Sequence, residues 1–241
     1  MQDISSFSRK LESWNLKITE KQQEQFIKYY ELLIERNKVM NLTAITEWEE
    51  VVQKHFIDSL SFVKAGVIKE QKELKLIDIG TGAGFPGIPL KILFPHWKVV
   101  LLDSLKKRVS FLNEVIQELE LTNIEAIHGR AEDIARAEGY REGFDICVSR
   151  AVANLSILSE YCIPFAKVGG YFISYKSAKG EIEKKQAEHA IEILGGKVED
   201  MVFFQLPESE IERGLIIVKK IKETNKKYPR KAGLPEKEPL K

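Results

Sequence analysis

Apolar positions along this chain change their period near residue 70. Before that point they recur at helical spacing. Asp3 to Trp14 reads as a short amphipathic helix. Thr19 and Gln22 form a capping box ahead of a helix whose apolar face is Phe26, Tyr29, Tyr30 and Leu33. Thr46 and Glu49 repeat that signal before Val51, Val52, Phe56, Leu60 and Val63. Residues 1–70 are therefore expected to form an N-terminal helical cap on one edge of a sheet. From Leu76 onward, short apolar runs alternate with helical stretches. Strands are expected at Leu76–Ile79, Lys98–Leu102, Ile124–His128, Asp145–Ser149, Tyr171–Lys176, Lys197–Gln205 and Leu215–Ile221. Helices are expected near Pro89–Phe94, Lys106–Leu119, Leu155–Ala166 and Lys179–Leu194. Such alternation predicts an α/β fold, a mostly parallel seven-stranded sheet covered on both faces. The Pro207–Gly214 connection is too short for a crossover helix, so the last two strands should close the sheet as an antiparallel hairpin.

Composition adds bounds to this outline. With 241 residues, 44% apolar and 30% charged, the chain suits one globular core, residues 71–221, with smaller attached segments. No apolar run approaches the ~20 residues a bilayer span needs. Met1-Gln2-Asp3-Ile4 carries no basic-then-apolar signal, so a cytoplasmic location is expected. Cys147 and Cys162 fall in a strand and a helix without metal-ligand spacing, and no metal site is expected. The net charge of +1 is uneven: residues 219–241 hold nine Lys or Arg against three acids, a local +6. Pro229, Gly233, Pro235 and Pro239 exclude a regular helix there. Residues 222–241 are therefore expected to be an extended basic tail tracking a phosphate backbone, with Tyr228 free to stack. A solvated, disordered terminus is the competing reading.

The candidate chemistry sits where the first strand ends. Leu76-Ile77-Asp78-Ile79-Gly80-Thr81-Gly82-Ala83-Gly84-Phe85-Pro86-Gly87 joins a strand to a helix through alternating glycines. Glycine there permits a tight turn and a close approach to a bound nucleoside. A dinucleotide loop reads G-x-G-x-x-G, but Phe85 occupies the place of its third glycine. The G-x-G-x-G form preceded by Asp78 resembles motif I of S-adenosylmethionine-dependent methyltransferases. Asp103, at the tip of the second strand, is placed to accept from ribose hydroxyls. Glu132 and Asp133, after the third strand, suit either an adenine amine or a helix cap.

Substrate chemistry is narrowed by what is missing. Exocyclic-amine methylation goes with a Pro-Pro-aromatic loop after the fourth strand, where this chain has Ser149-Arg150-Ala151-Val152. Pyrimidine carbon-5 methylation needs an exposed cysteine nucleophile, and neither cysteine qualifies. A ring nitrogen such as guanine N7 already has its lone pair in plane and requires no general base. No catalytic residue is therefore expected beyond a positioning role for Arg150, which suits a cofactor carboxylate or guanine O6.

These residues resemble the GidB family (glucose-inhibited division protein B, also RsmG). The carrying stretches are Asn41-Leu42-Thr43-Ala44-Ile45, His55-Phe56-Ile57-Asp58-Ser59-Leu60, the glycine loop, Asp103-Ser104 with Lys107-Arg108, and His128-Gly129-Arg130-Ala131-Glu132. Ser149-Arg150-Ala151-Val152 and Tyr228-Pro229-Arg230-Lys231-Ala232-Gly233 complete them. The resemblance implies a class I methyltransferase fold and N7 methylation of one guanine in the helix-18 loop of 16S ribosomal RNA, near the decoding site. It maps cofactor contacts onto Gly80, Phe85, Ala131, Glu132 and Arg150, to which the physical reading adds Gly82 and Asp103. RNA contacts are expected from Lys106, Lys107, Arg108, Lys226, Lys227, Tyr228, Arg230 and Lys231. His55 and Asp58 are expected to make structural hydrogen bonds within the cap. The expected partner is 16S RNA or the small ribosomal subunit, met by a monomer without membrane attachment. Other readings stay open: a methyltransferase on another RNA base or a small molecule, or a ribosome-assembly RNA-binding protein that keeps a cofactor pocket. A NAD-dependent oxidoreductase is disfavoured by Phe85.

Overall fold

A computed structural model describes residues 3–68, 73–150, 153–177 and 180–240. Ala151, Val152, Lys179 and Lys241, which figured in the expectations above, lie outside the described residues.

The cap comprises α1 (Ser5–Glu12), α2 (Glu20–Met40), α3 (Trp48–Val51), a π-helical stretch Val52–Ile57, α4 (Asp58–Leu60) and a 3₁₀ turn Ser61–Ala65. The capping box at α2 is formed: Thr19 Oγ1 accepts from Gln22 N at 3.3 Å, and Gln22 Oε1 accepts from Thr19 N at 2.8 Å. The second one is not. Glu47 occupies the N-cap of α3 without a side-chain cap bond, while Glu49 turns instead to Lys10 and Ser6 of α1. On α2 the buried face is Phe26, Tyr29, Leu32 and Leu33, with Tyr30 at its margin donating to the Thr46 carbonyl.

Seven strands follow: β1 (Lys75–Ile79), β2 (Lys98–Asp103), β3 (Ile124–His128), β4 (Phe144–Ser149), β5 (Ala166–Lys176), β6 (Gly196–Gln205) and β7 (Glu212–Lys220). Their order is β3-β2-β1-β4-β5-β7-β6, parallel except for β7, which is antiparallel to both β5 and β6. Helices α5 (Gly87–Leu93), α6 (Lys106–Glu118), α7 (Ala131–Ile134), α8 (Leu155–Cys162), α9 (Gly180–Ile193) and α10 (Leu234–Lys237) complete the elements. The expected helix to Ala166 stops at Cys162, because Pro164 cannot continue the α ladder; a 3₁₀ turn, Ile163–Phe165, leads directly into β5.

Alternation along the strands sorts the core into two layers. Leu76, Leu101, Val148, Ile173 and Leu215 face one way and meet α5, α6 and the whole cap. Ile77, Leu102, Cys147, Phe172 and Ile216 face the other way and meet α8, α9 and Tyr228 of the C-terminal segment. Two expectations are corrected here. The cap lies on a face of the sheet rather than at its edge, because Phe7, Phe26, Phe56 and Phe62 share one apolar cluster with strand side chains. The C-terminal segment is folded rather than extended. Tyr228 is only 6% exposed, and Arg230 makes a bidentate pair with Glu160 of α8 at 2.7 and 3.0 Å, next to the short helix α10.

Candidate active site

The sheet delivers its chemistry to the carboxyl ends of β1 to β4, where ligands of open α/β sheets bind. Asp78, fully buried in β1, closes the glycine loop on itself: Oδ2 accepts from Thr81 Oγ1 at 2.7 Å and from Gly87 N at 2.8 Å. Its Oδ1 is buried without a hydrogen-bond partner, and burial pushes the carboxyl up to about 7. The glycines divide their work. Gly82, at φ +64°, would direct a Cβ into open space, as a loop cradling a ligand should. Gly84, at φ +103°, instead lies under the cap, where a Cβ would stand 2.7 Å from the Tyr29 hydroxyl. That hydroxyl donates to the Ala83 carbonyl at 2.5 Å. Asp103 braces the loop from β2, with Oδ2 accepting from Gly82 N and Oδ1 from Leu105 N, each at 2.9 Å.

A cavity of about 240 Å³ opens beside this loop. Gly80, Ala131 and Glu132, three of the expected cofactor contacts, line it together with Ile79, Leu102 and Leu158. Apolar walls with one buried carboxylate suit a purine base and its amine, and the volume suits the nucleoside part of a ligand. Gly82, Phe85, Asp103 and Arg150 are not among its lining residues. Tyr161 and Glu236 are, and the sequence reading missed both. No motif marked them, since Glu236 comes from the segment read as an extended tail.

Arg150 occupies a different corner. Its guanidinium lies 5.0 Å from the Phe85 ring centroid, so two predicted cofactor residues touch each other. Nη1 donates to Asp58 Oδ2 at 3.0 Å and to the Lys54 carbonyl at 3.2 Å. Asp58 Oδ1 accepts from Arg213 Nε at 2.8 Å. Asp58 therefore reaches beyond the cap, correcting the expectation that its bonds stay within it: one carboxylate joins the cap to the ends of β4 and β7. His55 stacks on Phe85 with centroids 4.6 Å apart and shares Nε2 with Thr43 Oγ1 at 2.8 Å. Burial, then the nearby Arg150 charge, lowers its pKa to about 4, so the ring is neutral at physiological pH. A second cavity, about 480 Å³, is lined by Asp58, Arg150, Tyr175, Lys176, Glu183 and Arg213. Ala153 lines both cavities, so they adjoin. Both carboxylates of the larger one are ion-paired, Asp58 with the two arginines and Glu183 with Lys176 at 2.8 Å.

Of the expected RNA contacts, Lys106 and Lys107 are exposed at the start of α6, and Lys226, Lys227 and Lys231 are exposed on the C-terminal segment. Arg108 is half-buried, 3.5 Å from Asp103. Tyr228 and Arg230 are corrected: the ring packs under α8 and α9, and the guanidinium is taken by Glu160 and the Glu238 carbonyl. Both cysteines are buried, and burial with the neighbouring Cys162 raises the Cys147 thiol well above its ordinary range. Among the described residues no helix is long and apolar enough to cross a membrane.

Comparison with known proteins agrees with this geometry. Residues 22–212 match the family model described as rRNA small subunit methyltransferase G, GidB. A protein named ribosomal RNA small subunit methyltransferase G from Lachnoclostridium phytofermentans is 58% identical over 100% of this chain and 98% of its own. One of the same name from Clostridium botulinum is 54% identical over 94% of each chain. The crystal structure of M. jannaschii TYW2 in complex with AdoMet superposes with a TM-score of 0.52 at 16% identity, covering 67% of this chain and 74% of its own. That likeness extends to the fold.

Proposed function

The chain belongs to the rRNA small subunit methyltransferase G (GidB) family, and from that premise we propose that it methylates N7 of a guanine in the helix-18 loop of 16S ribosomal RNA. It is an S-adenosylmethionine-dependent methyltransferase with small-subunit ribosomal RNA as its substrate class. The observation that carries the finer reading is the pair of adjoining cavities, one nucleoside-sized and one larger and cationic, meeting at Ala153.

S-adenosylmethionine, when bound, supplies a methyl group on a sulfonium. What this chain supplies is alignment, since an in-line displacement gains most from proximity. Gly80, Ala131 and Glu132 hold the adenosine portion, with Gly82 and Asp103 shaping the loop beside it. Arg150, fixed by Asp58 and lying over Phe85, stands between the loop and the second cavity. Arg150, Arg213 and Lys176 outnumber Asp58 and Glu183 among the charged lining residues, which suits an anionic substrate, and a guanidinium suits the O6 edge beside N7. No proton needs removing from N7, and this agrees with a cavity whose carboxylates are already paired and whose nearest imidazole is neutral. Lys106, Lys107, Arg108, Lys226, Lys227 and Lys231 act as phosphate contacts beyond the mouth. The enzyme works as a monomer in the cytoplasm, where its RNA is made.

Nucleoside mass spectrometry of 16S RNA from cells with and without the gene tests the reading. Loss of one 7-methylguanosine, mapped to the helix-18 loop and restored by the wild-type chain but not by Arg150→Ala, is expected. An unchanged 7-methylguanosine content would discard it.

A further inference from the structure

Resting on the cofactor reading above, we propose that the C-terminal segment Gly233–Lys237 is a wall of the adenosine pocket, so that cofactor binding and docking of this segment stabilise one another. Three observations carry this. Glu236 lines the smaller cavity together with Gly80 and Leu102, and it shares a hydrogen bond with Tyr161 of α8. Glu132, 4% exposed and in the same lining, accepts from the Gly233 backbone N–H at 2.9 Å through Oε1. A carboxylate expected to face the adenine is thus also the anchor of the segment.

The third observation is how the approach to Gly233 is fastened. Arg136, two residues beyond α7, donates to the carbonyls of Lys226 and Lys227 and to that of Pro229. Arg141 donates to the carbonyls of Tyr228 at 2.9 Å and Thr224 at 2.7 Å. Arg230 pairs with Glu160 one residue before Tyr161. These anchors lie on α7, α8 or the turn between α7 and β4, and α7 and α8 carry lining residues of the same cavity. Glu132 and Glu236 place two carboxylates at this end against Arg130, a setting that favours amine and hydroxyl donors of a nucleoside over a phosphate. If ligand and segment share walls, each must strengthen the other by the same factor.

The test compares the intact chain, a chain ending at Ala232 and Glu236→Ala, using calorimetry with S-adenosylhomocysteine and hydrogen exchange of residues 226–238. Affinity should fall about tenfold for the chain ending at Ala232 and by about threefold for Glu236→Ala. In the intact chain, exchange at 233–237 should slow on adding S-adenosylhomocysteine. Unchanged affinity in a folded chain ending at Ala232, or exchange at 233–237 indifferent to ligand, overturns the proposal. Glu236→Ala carries the affinity test if the shorter chain does not fold, and wild-type affinity there counts against it equally. Failure of the intact chain to bind S-adenosylhomocysteine would overturn the cofactor reading, and this inference with it.

Discussion

On one face of the sheet the glycine loop is held by rings. Phe85 meets Tyr29, His55 and Phe56 with centroids 4.6 to 6.2 Å apart, inside a cluster that continues to Phe7, Phe26 and Trp48. On the other face the α7–α8 side of the smaller cavity is held by charge and backbone. Arg136, Arg141 and Arg230 clasp main-chain carbonyls and Glu160, with Tyr228 as the buried apolar anchor and Leu240 packed partly buried against the same cluster. Aromatic burial is non-directional and fixes the cap to the core as one body. Guanidinium–carbonyl bonds exchange readily with water, so their net contribution is smaller and the segment they hold is expected to open before the rest of the fold. The two halves of one pocket are thus built to different stabilities.

Phe56→Ala should have the largest effect. This fully buried ring touches most of the cap cluster, and its loss should cost about 3–5 kcal/mol in urea unfolding. A cost below 1 kcal/mol would mean that cap and core are not one cooperative unit. Glu160→Gln addresses the opposite face. Removing the charge under Arg230 should cost about 1.5–3 kcal/mol of docking free energy. It should show as faster tryptic cleavage at Lys226, Lys227 and Lys231 with a smaller shift of the unfolding midpoint than Phe56→Ala gives. Equal midpoint shifts would erase the contrast.

A third expectation uses pH. His55 titrates near 6.5 when unfolded and near 4 when folded, so the unfolded chain binds more protons between those values. Its contribution is complete above pH 6.5 and is lost as pH falls toward 4. Buried Asp78, with its carboxyl raised to about 7, acts with the opposite sign across this whole range, so the comparison must be made with His55→Gln. The stability difference between wild type and His55→Gln should change by about 1–2 kcal/mol across the window, allowing for a partly exposed ring. A constant difference would show that the stacked imidazole does not titrate there. The smallest effect on folding belongs to Lys106→Ala with Lys107→Ala. Stability should stay within ~0.5 kcal/mol, while the log–log salt slope of RNA binding flattens by about 1.5. An unaltered slope would remove these lysines from the RNA contact surface.

The same contrast separates what was legible in the sequence from what was not. The strand positions, the closing antiparallel hairpin, the glycine loop and the cap helices follow from local signals: apolar period, the short Pro207–Gly214 connection, Thr19 with Gln22, and glycines after Ile79. The cap's second start failed because Glu49 found Lys10, a partner remote in sequence, in place of Thr46. The C-terminal segment misled more seriously. Its prolines did exclude a long helix, but irregular backbone need not be extended when Glu160 and Glu132 lie waiting 70 and 101 residues away. Charge runs advertise solvent in a sequence, and nothing local distinguishes a lysine that stays there from an arginine that finds a buried carboxylate. Arg150 stood out in the sequence as a candidate, but its ion pair with Asp58, which also holds Arg213, was not legible, since the three meet only through the fold.

That meeting sets an order of events in the life of the chain. Asp58 bonds residues 92 and 155 positions further along, the second on the last strand of the sheet. During synthesis the cap, the glycine loop and β4 leave the ribosome well before Arg213 does. Until β7 has emerged and slipped between β5 and β6, Asp58 lacks one of its two arginines and the larger cavity lacks a wall. A nascent chain that has not yet exposed β7 therefore cannot carry a finished site.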